Sequence, residues 1–162
     1  MPSPESTLPA QRTADWTAVI DSNVWLDLLL FKDPRCAALR LAIERGDLQP
    51  LSNADCQSEW LRVLHYPALS LSDDQRAGLI TAQADWVRLI ASADTAGPRP
   101  ANPRCRDPDD QKFLDLAVEQ RANFLFSRDR ALLRLSRRCQ NAFQLWIGVP
   151  QDWPTDHHAR LY

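Results

Sequence analysis

Apolar and polar positions along the chain switch between two periods, and the switching sketches an α/β domain. Short β-branched or apolar runs at residues 17–21, 48–52, 123–127 and 142–147 read as strands. The stretches between them carry apolar residues at helical spacing. Ser22 is positioned to cap a helix over 23–31. Pro34 suits the first turn of the next helix, where Ala37, Ala38, Leu41 and Ala42 recur at helical intervals until Gly46. Trp60, Leu61, Val63 and Leu64 form the apolar face of a third helix that opens at Asn53 or Asp55 and ends at Tyr66-Pro67. Ser72-Asp-Asp-Gln75 has the pattern of a capping box and leads a long helix to about residue 91. A proline-rich stretch without periodicity over 92–107 reads as a loop. Helices over 109–121, entered through Pro108, and 130–138 complete the series.

Strands alternating with helices predict a three-layer α/β/α sandwich around a central, mostly parallel sheet of four to five strands. One domain over 17–153 accounts for the pattern. Residues 1–16 read as a disordered leader and 154–162 as a tail. No internal repeat is visible.

Charge and cysteine content narrow the function classes. A net charge of −2 argues against a bulk electrostatic nucleic-acid binder, although ten basic residues, nine arginines and Lys112, gather between Arg99 and Arg138. A locally basic rim of that kind suits a polyanionic substrate, but basic residues with acids between them are usually solvated helix faces. Cys36, Cys56, Cys105 and Cys139 are too far apart for the usual zinc or redox spacing, so free thiols are expected. The longest apolar run, 24–31, is interrupted by Asp27, and the N-terminus has no apolar core of a signal peptide. The chain therefore reads as cytoplasmic.

Four acids carry the candidate chemistry, and each has an ordinary explanation. Asp21 ends the first strand and precedes a helix; Asn23 follows in the first turn. A strand-end acid beside a serine cap is the simpler reading of that triplet. Glu59 borders an apolar stripe and needs a cation, for which Arg62 at i+3 is available. Asp107, Asp109 and Asp110 crowd a helix N-terminus, where the helix dipole favours negative charge. Asp110 shares a face with Leu114 and Ala117 and so points toward the sheet, whereas Asp109 and Asp115 can face water. Asp129 is a natural cap for the next helix, Ser127 can orient a neighbouring carboxylate, and Arg128 and Arg130 can meet either substrate phosphates or surface acids.

Together these acids fall at the carboxyl ends of neighbouring strands, where they would repel unless a cation held them. An oxygen-rich site of this sort favours Mg²⁺ or Mn²⁺, which support phosphodiester displacement.

The set Val-Ile-Asp21-Ser-Asn23, Glu59-x-x-Arg-Val-Leu64, Asp107-Pro-Asp-Asp110 with Ala117, and Ser127-x-Asp129 with Leu132-Leu133 resembles the PIN domain family. It looks closest to the bacterial branch found as toxins in type II toxin–antitoxin pairs. The resemblance spans about residues 18–153 and implies a metal-dependent endoribonuclease. On it, Asp21, Glu59 and Asp110 would be the first, second and third metal ligands, and Asp129 would complete or support the site. Asn23 and Ser127 would match polar positions beside them, with serine where threonine is common. Asp107 competes with Asp110 for the third place. RNA is the implied substrate, and an antitoxin protein and a second copy of the chain are the implied partners.

Two other classes fit the same residues. A non-catalytic PIN-fold module that binds RNA or protein keeps the fold and leaves the pocket unused. A phosphatase with an aspartyl nucleophile would need a second Asp two residues after the first, where Asn23 stands. No glycine-rich nucleotide motif occurs, and His65, His157 and His158 are poorly placed for a hydrolase triad.

Overall fold

In the computed structural model, residues 13–91 and 102–153 are described. The expected leader therefore lies largely outside the described residues, as do the tail and the first part of the expected loop.

Among the described residues, five strands form one sheet, all parallel: β1 (Trp16–Ile20), β2 (Leu48–Ser52), β3 (Arg88–Leu89), β4 (Phe124–Phe126) and β5 (Trp146–Gly148), in the order β3-β2-β1-β4-β5. The same described residues hold seven α-helices: α1 (Ser22–Leu29), α2 (Ala37–Glu44), α3 (Ala54–Val63), α4 (Asp73–Trp86), α5 (Gln111–Glu119), α6 (Arg130–Leu133) and α7 (Ser136–Phe143). The three-layer α/β/α arrangement follows from strand periodicity. Alternate residues of each strand enter opposite cores. Ala18, Ile20, Phe124 and Phe126 pack with Val24, Trp25 and Leu28 of α1 and Leu39 and Ile43 of α2. Val19, Leu51, Leu125 and Ile147 pack on the other face with Phe113, Leu114 and Leu116 of α5 and Cys139 of α7. Each fully buried large side chain of these cores contributes about 1.5–3 kcal/mol of apolar burial. Helix α3 serves both layers, with Cys56 in one core and Trp60, with Leu64 at the helix's C-cap, in the other.

Several local signals act as read. Gly46 closes α2 at φ +76°, a conformation that costs glycine little. The capping box is complete: Gln75 N–H donates to Ser72 Oγ, and Ser72 N–H to Gln75 Oε1. Pro34 and Pro67 each start a single 3₁₀ turn, the first leading into α2 and the second following the end of α3. All four cysteines are free and buried.

Four boundaries differ. The first strand begins at Trp16, whose ring packs edge-on against Phe124 and Trp153. Helix α4 stops at Trp86 instead of running to 91, because Val87 turns extended and Arg88–Leu89 pair with Leu51 and Ser52 as the fifth strand. The helix expected over 130–138 is two, α6 and α7, with no proline or glycine at the break. The last strand starts at Trp146, after α7 has continued to Phe143 and Gln144 has turned left-handed at φ 56°.

The strand order places the site. The chain steps from β1 to β2 on one side and later returns to β4 on the other, so the sheet's direction of growth reverses between β1 and β4. Crevices at such a reversal, beyond the carboxyl ends of the strands, are where open α/β sheets bind ligands.

Candidate metal centre

Register alone brings the first two site residues together. Ile20 lies opposite Phe126, and Asp21 N–H donates to Phe126 O at 3.0 Å, so Asp21 and Ser127 leave the sheet side by side. Ser127 Oγ donates to Asp21 Oδ2 at 2.6 Å, and Asp129 N–H donates back to Ser127 Oγ at 3.0 Å. One buried hydroxyl thus ties the end of β1 to the turn after β4. Burial pushes the Asp21 carboxyl up to about 6; the Ser127 bond opposes this, the charge of Glu59 adds to it, and the Ser22 and Asn23 amides pull it down.

Ser22 does not cap α1. Asp21 holds the cap position, and Ser22 Oγ instead donates to Glu59 Oε2 at 2.7 Å. The other oxygen of Glu59 meets Lys112 Nζ at 3.1 Å. Arg62, the partner suggested by helix spacing, stands 3.9 Å away on an exposed side chain, where screening leaves it little effect. Both oxygens of Glu59 therefore have close donors.

Asp107, Asp110 and Asp129 make the second half of the site. Each offers a carboxylate oxygen within 4.8 Å of the others. Asp110 precedes α5 and is buried as its facing predicts, with Phe113, Leu114 and Ala117 beneath it. Asp107 accepts from Asp109 N–H at 2.9 Å, which folds the acidic turn back on itself. Asp129 caps α6 through Ala131 N–H at 2.8 Å, and its carboxylate still reaches the cluster. Burial raises the Asp110 carboxyl to about 8, helped by its contact with the Asp129 carboxyl and by the charges of Asp21, Asp129 and Asp107.

Two acceptors here lack donors. Asp110 Oδ2 and Asn23 Oδ1 are buried without a hydrogen-bond partner among the described residues. Buried acceptors are nearly always satisfied, so orphans mark a missing donor or cation. The donor set is oxygen throughout, which fits a hard divalent ion such as Mg²⁺ or Mn²⁺.

The remaining expected residues divide. Asp109 is exposed, and Asp115 accepts from Asn102 and Gln111. Arg130 is exposed at the start of α6. Arg128 faces elsewhere: its guanidinium bonds Asp27 Oδ2 and Gln151 Oε1 and reaches Cys36 Sγ at 3.9 Å, holding the β4 turn to α1. The sequence pattern placed Lys112 only within the basic stretch from Arg99 to Arg138, without its Glu59 partner, and set Asp107 aside. Lys112 did carry a signal: a cation in the first turn of a helix opposes the helix dipole and so needs a nearby anion.

No curated protein and no solved structure matches the chain. The sequence pattern of the PIN domain matches residues 17–131, which covers β1 through the start of α6 and every acid described above. Among the described residues, no helix is long and apolar enough to cross a membrane. The matched span, the parallel sheet and the acids at its switch point agree, and the chain belongs to the PIN domain family, whose fold is that of nucleases.

Proposed function

We propose that the chain is a metal-dependent endoribonuclease that hydrolyses RNA phosphodiester bonds, leaving 5′-phosphate and 3′-hydroxyl ends. The observation that carries this reading is Asp110 Oδ2, buried and unpartnered amid the carboxylates of Asp107 and Asp129. When bound, Mg²⁺ or Mn²⁺ supplies Lewis-acid charge to a phosphate oxygen and lowers the pKa of water. Asp107, Asp110 and Asp129 would hold it, with Asp21 alongside. Ser127 fixes the rotamer of Asp21, and Ser22 fixes that of Glu59. Asn23 presents an amide beside Asp21, and Arg130 offers an exposed guanidinium to a substrate phosphate.

The decisive assay is cleavage of labelled RNA with Mn²⁺ by the parent and Asp21→Asn. Loss of at least about a hundredfold in rate is expected for removing a charge at the reacting centre. Equal rates would sink the reading.

Type II toxin activity, with an antitoxin side chain of arginine or lysine entering the acidic pocket, is a narrower form of the same proposal. A neighbouring reading frame for a small basic protein whose product abolishes cleavage would support it. The Lys112–Glu59 pair favours one other reading, a non-catalytic PIN-fold module whose pocket is closed by its own lysine. Calorimetry separates the two, because a closed pocket takes up no Mn²⁺.

A further inference from the structure

The acids of this site have unequal partners. Asp107, Asp110 and Asp129 form no ion pair among the described residues, and Asp110 keeps an orphan oxygen. Glu59 is satisfied twice, by Lys112 Nζ at 3.1 Å on Oε1 and by Ser22 Oγ at 2.7 Å on Oε2. A metal ion that bound Glu59 would have to share its two oxygens with the ammonium and the hydroxyl already bonded to them.

The Lys112–Glu59 pair is not a surface contact. The Lys112 side chain is 20% exposed and that of Glu59 11%. The ammonium also lies 5.7 Å from the Phe113 ring centroid. Helices α3 and α5 meet where Cys56 Sγ approaches Lys112 O at 4.0 Å, so the backbone beneath the lysine is packed against the helix that carries Glu59. Lys112 stands two residues after Asp110, which holds the cap position of α5, so both come from the N-terminal end of that helix.

We propose that Lys112 is a positioning residue that supplies the second positive charge of the site, so that a single divalent ion at Asp107, Asp110 and Asp129 completes it. The ammonium neutralises Glu59 and holds its carboxylate against Ser22, beside Asp21. A lysine in this place does what a second metal ion would otherwise do for charge balance, and it does so without needing metal from solution. The inference rests on the metal-dependent reading above and states how many ions that reading requires.

The test is Mn²⁺ titration of the full chain by calorimetry, with electron paramagnetic resonance of the loaded protein. The parent is expected to bind one Mn²⁺ and to show an uncoupled spectrum. Lys112→Met is expected to bind a second ion and to show the coupled spectrum of two neighbouring Mn²⁺ centres. Lys112→Arg, which keeps the charge, is expected to return to one. A parent that binds two ions overturns the inference and leaves the nuclease reading standing. So does a folded Lys112→Met that still binds one. A parent that binds none removes both. The parent titration needs no variant, so misfolding of Lys112→Met leaves the test in force.

Discussion

Ser127 Oγ and Asp21 Oδ2, 106 residues apart in sequence, meet at 2.6 Å at the reversal point of the sheet. The bond is a consequence of register: pairing Ile20 with Phe126 makes the next residue on each strand a neighbour. It also sets the chemistry of Asp21, since it is the main influence opposing the burial that raises that carboxyl to about 6.

Ser127→Ala should therefore leave a buried carboxylate short of a donor and free the Asp129 amide from its acceptor. A loss of about 1–3 kcal/mol is expected from urea unfolding. Ser127→Thr, which keeps the hydroxyl, should retain most of the stability. An unchanged urea midpoint for the alanine variant would show that water replaces the bond.

Without metal, stability should fall as pH rises. The carboxyls of Asp110, at about 8, and Asp21, at about 6, both lie above the unfolded value near 4. Between about pH 4 and pH 8 the folded protein therefore holds more protons than the unfolded chain, and stability declines through that window. Asp110→Asn should flatten its upper part and raise Tm at pH 8, by roughly 2–4 °C for each kcal/mol recovered. A chelator-treated parent whose Tm is level from pH 5 to 8 would contradict the assignment.

A divalent ion reverses that slope. Protons on Asp110 and Asp21 must leave before metal binds, so Mn²⁺ affinity should climb with pH through about 6 to 8. Calorimetry at pH 7 in two buffers of different ionisation enthalpy should report proton release. Identical apparent enthalpies would mean that the acids bind metal already ionised.

The two arginines of the β4 turn should separate cleanly. Arg128→Ala leaves Asp27 without its half-buried partner and should cost about 1–3 kcal/mol in urea unfolding. Arg130→Ala should leave unfolding unchanged and raise KM for RNA several-fold, with a weaker salt dependence. A KM effect from Arg128 without a stability effect would return it to the substrate surface.

Gly148 is required by a neighbour. A Cβ added there would overlap the Trp146 ring, which itself packs edge-on against Phe124 and Phe126. Gly148→Ala should cost about 1–3 kcal/mol through overpacking, readable as a lower urea midpoint and an altered tryptophan emission.

The strand and helix order was legible because periodicity is local: burial on a sheet face or helix stripe leaves its mark every two or 3.6 residues. Caps at Asn53, Ser72 and Asp129 were legible for the same reason, since each bonds within three residues. Strand β3 was not, because Arg88 and Leu89 become a strand only by meeting Leu51 and Ser52. Two exposed residues carry no pattern of their own.

The site divides along the same line. The strand end at Asp21 and the spacing of Asp110, Leu114 and Ala117 already marked which acids could face the sheet edge. Tertiary structure decided their company. It folded Asp107 in with Asp110 and Asp129, turned Ser22 from a helix cap into a donor to Glu59, drew Arg128 away to Asp27 and placed Lys112 on Glu59. Those choices depend on which helices touch across the sheet, and charge interactions act through space without regard to sequence separation.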